Sequence, residues 1–343
     1  MVVKDLSFKP DLVWVKGYTD ADRHGLYDTV RGVTKRLQSA HTTAEDTQNG
    51  VTSFNDNGFS IGNYGDSNGN GRGYVAWAWK AGGSKNTFNV DDVGYATAAA
   101  AGLDGGSGTV TGASVGTKQG FSIISYTGNS TNPTTFSHGL LEAPTFVIIK
   151  NRDRSTNGDW IVGHADADGD GFASGNQLVL NTNAAVDGGS SNYFSGTAPT
   201  SSVFTVKDNY QTNYSGDDYI AYLWHDVPGL QKFGSYEGNG NVDGPYVELG
   251  FKPAVLILKN FDDTENWYIY DTVRMKNNPA FESLQASSDS AQENGSTNTR
   301  VDILSTGFKL RQSNGPNNSN SYIYMAWAEA PAFNLFGGQS NAR

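Results

Sequence analysis

One strand-like block occurs three times in this chain, and the triplication constrains its fold more than any other feature. The copies are Phe8-Lys-Pro-Asp-Leu-Val-Trp-Val-Lys16, Ala143-Pro-Thr-Phe-Val-Ile-Ile-Lys150 and Phe251-Lys-Pro-Ala-Val-Leu-Ile-Leu-Lys259. A second block closes each copy: Tyr74-Val-Ala-Trp-Ala-Trp79, Tyr219-Ile-Ala-Tyr-Leu-Trp224 and Tyr322-Ile-Tyr-Met-Ala-Trp327. The first and third copies share Tyr27-Asp-Thr-Val-Arg31 and Tyr270-Asp-Thr-Val-Arg274. A repeat of about 100 residues is the size of a β-sandwich. It is too long for a solenoid, whose units run about 20–45 residues.

Composition narrows the class. Gly makes up 42 of 343 residues, charged residues 17% and aromatic residues 12%. A chain with so many large rings to bury is not disordered. Sparse charge with abundant Gly, Asn, Ser and Thr fits sandwiches joined by turns. Helical periodicity is weak, and only residues 31–39 are expected to form a turn or two of helix. Tyr322-Ile-Tyr-Met-Ala-Trp327 is almost continuously apolar and should be a central strand covered on both faces. The expected fold is all-β, with three tandem sandwich units.

The units are placed at residues 1–82, 120–230 and 231–335, with a polar tail at 336–343. Residues 83–119, rich in Gly, Ala and Ser, read as a linker or long loop. The second and third units open with matching strands, Gly120-Phe-Ser-Ile-Ile-Ser-Tyr-Thr-Gly-Asn129 and Lys232-Phe-Gly-Ser-Tyr-Glu-Gly-Asn239. Nothing ahead of Phe8 supplies one for the first unit, which should leave an open sheet edge. That edge is expected to be covered by the 81–120 segment, a neighbouring unit or another chain.

The net charge of −11, with 24 basic residues and no dense basic run, argues against nucleic-acid partners and anionic membranes. The absence of cysteine excludes disulfides and thiolate chemistry. No signal-peptide run and no apolar stretch of membrane-spanning length occurs, so membrane insertion is not expected.

Chemistry-bearing motifs are few. Asp166-Ala-Asp-Gly-Asp-Gly171 offers alternating carboxylates on a turn, so Asp166, Asp168 and Asp170 are candidate Ca²⁺ ligands. The twelfth position of a full calcium loop is Gln177, which does not supply the usual bidentate carboxylate. The same segment also reads as a solvated hairpin turn. No paired-carboxylate cluster, His-x-x-x-His spacing or Gly-x-Ser-x-Gly elbow points to catalysis, so a catalytic residue set is not assigned. The five histidines read as turn or strand-end residues. The tryptophans of the repeated strands read as core, as do Trp160 and Trp267 at matching positions. Tyr18, Tyr64, Tyr193, Tyr210 and Tyr214 lie in polar connections without counterparts in the other units. Such rings can stack on sugars, or can pack over their own loops.

Taken together, the F-x-P-x-x-V-x-x-K block, the S-Y-x-G-N opening strand, the Asn57-Gly-Phe and Thr306-Gly-Phe turns and the Asp218-Tyr-Ile-Ala-Tyr closing strand resemble an uncharacterised repeat domain of tailed-bacteriophage virion proteins, abundant in marine phages. The C-terminal Ala328-Glu-Ala-Pro331 and Asn341-Ala-Arg343 resemble the end of such proteins. The resemblance covers nearly the whole chain except 81–120. It implies concanavalin A-like jelly rolls, related in shape to SPRY-type sandwiches, and a virion location such as a tail fibre, spike or head decoration. It carries over no catalytic residues.

The expected function is therefore a non-enzymatic virion component. It would bind a host surface glycan or another virion protein and assemble as a homo-oligomer, a trimer being favoured. A carbohydrate-active enzyme of the host envelope and a purely structural cement are the alternatives.

Overall fold

A computed structural model describes residues 1–4, 6–169, 171–173, 175–186, 192–293 and 300–328. Its regular structure is almost all strand. No described helix is long and apolar enough to cross a membrane.

The repeated blocks form the same sheet three times. Each closing strand pairs antiparallel with the Lys-bearing strand: Tyr74–Trp79 with Leu12–Gly17, Asp218–Trp224 with Phe146–Asn151, and Ser321–Ala328 with Pro253–Asn260. A third strand follows on the far side, at Gly25–Asp28, Trp160–His164 and Tyr268–Asp271. The opening strands Phe121–Thr127 and Gln231–Glu237 take the other edge of the closing strand in repeats two and three. Repeat one has no such strand among the described residues, and Tyr74–Trp79 ends its sheet.

Each Lys-bearing strand is buried on both faces, which explains why its sequence lacks polar alternation. One face packs within its own repeat. Val13 and Val15 meet Phe59 and Ile61, Val147 and Ile149 meet Phe204, and Leu256 and Leu258 meet Phe308. The other face of all three strands enters one common core. Leu12 and Trp14, Phe146 and Ile148, and Ile257 converge there. Trp327 lies 5.5 Å from Trp79 and 6.0 Å from Trp224, so the closing strands of all three repeats meet through their tryptophans. The residual cavity beside these rings is about 20 Å³. The repeats thus form a ring around a shared core rather than a string of independent sandwiches.

The seams of this ring are built alike. The repeated lysines Lys16, Lys150 and Lys259 are fully buried. Each Nζ donates to main-chain carbonyls, one of them in the preceding repeat around the ring: Asp289 at 3.0 Å, Thr42 at 3.0 Å and Asn183 at 3.2 Å. Burial lowers their pKa values to about 8, 7 and 8. Three amides repeat the same crossing: Glu45 N to Arg152 O at 2.7 Å, Val186 N to Phe261 O at 3.0 Å, and Gln292 N to Tyr18 O at 2.9 Å. Trp160 and Trp267 donate their indole N–H to the carbonyls of Gln38 and Val179.

His24 occupies the corresponding place in repeat one. It stands at the end of the strand Gly25–Asp28, as expected from the sequence, and is fully buried there. Its Nε2 lies 3.0 Å from Gln285 O, and its Nδ1 accepts from Trp14 Nε1 at 2.8 Å. An imidazole that donates at Nε2 and accepts at Nδ1 is neutral. Burial lowers its pKa to about 3. The Trp14–His24 pair replaces Ile148–Trp160 and Ile257–Trp267 of the other repeats. Trp14→Ile and His24→Trp should therefore each destabilise the protein, and the double variant should recover at least about 1 kcal/mol of their summed loss. In the unfolded chain His24 takes up a proton below its ordinary value of about 6.5. Its contribution is therefore present above pH 6.5 and lost as pH falls towards 3. Wild type should lose stability relative to the double variant over that window, by up to about 1.4 kcal/mol per pH unit. Urea unfolding at a series of pH values checks both expectations.

Two sequence expectations are corrected. Residues 31–39 form turns and the short strand Lys35–Arg36, not helix. The Asp28 carboxylate caps the preceding turn by accepting from Val30 N and Arg31 N, and it pairs with the buried Arg31 guanidinium. The 83–119 segment is not a linker or loop. Phe88–Val90, Val93–Tyr95 and Val110–Gly116 extend the sheet of repeat two. Its glycines allow close chain approach: a Cβ on Gly106 would lie 2.4 Å from Thr135 O. This segment does not cover the free edge of Tyr74–Trp79.

Candidate functional site

Of the five candidate tyrosines, the structure brings two together. The Tyr210 and Tyr214 rings lie 4.6 Å apart, and both are exposed. The Arg154 guanidinium stacks over both, 4.7 and 4.5 Å from their centroids. Arg154 is held by an ion pair with Asp217. The loop beneath is pinned by buried groups. Asn151 Nδ2 donates to Tyr210 O and to Asp217 Oδ2, while Tyr219 OH accepts from Tyr214 N and donates to Tyr210 O. Three planar groups are thus fixed at the surface before any ligand arrives.

The frame under this stack recurs in the other repeats, but the stack does not. The closing-strand tyrosine also accepts from Gly69 N in repeat one and from Asn318 N in repeat three. Tyr214 therefore corresponds to Gly69 and Asn318, and Tyr210, whose carbonyl accepts from the same hydroxyl, to Gly65 and Gly315. Arg154 corresponds to Asp20 and Asp263, each four residues beyond its repeat's lysine. The aromatic pair is decoration confined to one third of the ring. Sequence reasoning found both tyrosines through their lack of counterparts. It missed Arg154, whose only signal was an aspartate in the other two copies.

The other three tyrosines lie apart. Tyr64 is engaged internally: Arg36 stacks over its ring at 4.7 Å, and its hydroxyl donates to Asp66 at 2.7 Å. Burial and this carboxylate raise its pKa to about 12. Tyr193 packs against the core of repeat two. Tyr18 lies in the wall of a groove of about 1,180 Å³ that follows the free edge of Tyr74–Trp79 towards repeat three.

Asp166 precedes a short 3₁₀ turn, Ala167–Gly169, and Asp168 lies within it with φ 48°. Asp166 Oδ2 accepts from Ser235 Oγ at 3.5 Å. Asp170 lies outside the described residues. Among the described residues no group of three His, Asp or Glu side chains converges to hold a metal ion. The buried histidines other than His24 serve the scaffold. Burial lowers the pKa of His138 and of His164 to about 4.

A family model described as a domain of unknown function, DUF7483, matches residues 1–331, and the chain belongs to that family. Neither the curated proteins nor the solved structures contain a match to it.

Proposed function

We propose that this member of the DUF7483 family is a non-enzymatic component of a bacteriophage virion, a tail fibre, spike or head decoration, that binds a host surface glycan through the Tyr210–Arg154–Tyr214 stack. In this reading its repeats are three jelly-roll units of the concanavalin A type. Further copies, as a homo-trimer, and other virion proteins are its assembly partners. The observation that carries the glycan reading is the exposed stack. Flat apolar faces held rigid beside a guanidinium and carboxylates offer a sugar both a stacking surface and hydroxyl partners. Preorganisation lowers the entropic cost of binding. Its confinement to one repeat argues for selection at that place, since the frame itself stands without it in repeats one and three.

A glycan array read with wild type, Tyr210→Ala and Tyr214→Ala tests this. Wild type should bind a restricted glycan set, and each variant should lose about tenfold or more in affinity. Melting temperature should stay unchanged. Equal binding by all three proteins, or no binding by wild type, would refute the reading.

A further inference from the structure

The groove follows the edge at which repeat one lacks its opening strand. In repeats two and three that edge is filled by Phe121–Thr127 and Gln231–Glu237, both antiparallel to the closing strand. Equivalent residues show what the gap leaves uncovered. Val30 packs on the shared core, and a Cβ on Gly112 of repeat two would lie 3.2 Å from it. Its counterpart Val273 is 74% exposed in the groove wall. The indole N–H groups of Trp77 and Trp327, in the same wall, have no acceptor among the described residues.

The chain contains a segment that matches the gap. Residues 224–234 read Trp-His-Asp-Val-Pro-Gly-Leu-Gln-Lys-Phe-Gly, and residues 327–337 read Trp-Ala-Glu-Ala-Pro-Ala-Phe-Asn-Leu-Phe-Gly. Trp, Pro, Phe and Gly recur at identical spacing, with Asp matched by Glu and Gln by Asn. The first copy leaves the closing strand of repeat two and becomes the opening strand of repeat three, with Asp226 accepting from Phe233 N at 2.9 Å. The second copy leaves the closing strand of repeat three. Its last described residue, Ala328, stands in the groove wall, and the neighbouring Trp327 lies 5.5 Å from Trp79. An antiparallel partner of Tyr74–Trp79 must enter at the Trp79 end.

We propose that residues 334–339 of this chain occupy the groove as the missing opening strand of repeat one and so close the ring. Gln231 pairs with Trp327, and Phe233 with Met325. The same register sets Asn334 opposite Trp79, Phe336 opposite Trp77 and Gly337 opposite Ala76. Phe336 takes the place of Phe233 on the shared core. Gln339 stands where Tyr126 and Tyr236 stack on Tyr219 and Tyr322, so the far end lacks a ring pair. Pairing would satisfy the edge and remove an aggregation surface.

The cysteine-free background makes a cross-link readable. In full-length Ala76→Cys/Gly337→Cys, mild oxidation should join most chains internally, seen by peptide mass mapping and a monomeric mass. Ala76→Cys/Arg343→Cys should stay reduced. Phe336→Asp should lower the melting temperature by several degrees. A disulfide between two chains would overturn the proposal in favour of donation by a second copy. Absence of the disulfide, with an unchanged melting temperature for Phe336→Asp, would overturn it altogether.

Discussion

Replacing Trp327 with Ala should loosen all three repeats together, at a cost of about 3–5 kcal/mol. The ring is 5% exposed and lies 5.5 Å from Trp79, 6.0 Å from Trp224, 6.5 Å from Phe146 and 5.5 Å from Phe233. No single repeat can collapse around the void, because its walls belong to the sheets of three different repeats. Urea titrations followed by fluorescence and by far-UV circular dichroism should give coincident midpoints, shifted together. A transition that splits, with one repeat melting early and the others unchanged, would show that the repeats do not share their core energetically.

Lys150→Met should be nearly as costly, by another route. The Lys150 ammonium donates to Thr42 O, Asn151 O and Gly158 O at 3.0, 2.9 and 2.7 Å from a fully buried position. Methionine fills a similar volume but leaves three buried carbonyls with one donor fewer each. An unsatisfied buried group costs about 1–3 kcal/mol, so a loss of several kcal/mol is expected. Lys150→Arg should not rescue it, because a planar fork cannot reach three carbonyls arranged about one nitrogen. Lys16→Met should behave alike, since its Nζ also has three carbonyl partners. Denaturant midpoints of the purified variants check the series. A loss below about 1 kcal/mol for Lys150→Met would mean that the carbonyls find other partners.

Much of the strand framework is legible in the sequence, because burial leaves a mark there. Val13, Val147 and Leu256 each face the core of their own repeat, while Trp14, Ile148 and Ile257 face the shared one, and the run without polar breaks records both. The missing opening strand of repeat one is legible for the same reason, as a block present twice and absent once. The ring is not. Its seams run from side chains to the carbonyls of Thr42, Asn183 and Asp289, and a carbonyl carries no side-chain signature. The repeated lysine is visible as a motif, yet a lysine ending a strand normally points into water. The 81–120 segment misleads because Gly and Ala usually mark flexible chain. Here Gly112, Ala113 and Gly116 instead keep a buried strand thin. Within the candidate site, Tyr210 and Tyr214 stand out in the sequence, but their joining through Arg154 depends on a loop geometry set by Asn151 and Tyr219.

A single ring built on a shared core has a direct consequence for hydrogen exchange. The amides of Leu12–Gly17, Phe146–Asn151 and Pro253–Asn260 lie in interior strands of the three sheets, one in each repeat. Native-state exchange across a series of low urea concentrations, resolved by peptide mass, reports the opening free energy of each strand. The ring predicts one value and one urea dependence for all three strands, reached only by global unfolding. Three separate opening energies, each with the shallow urea dependence of a unit of about 100 residues, would contradict it and restore a chain of independent sandwiches.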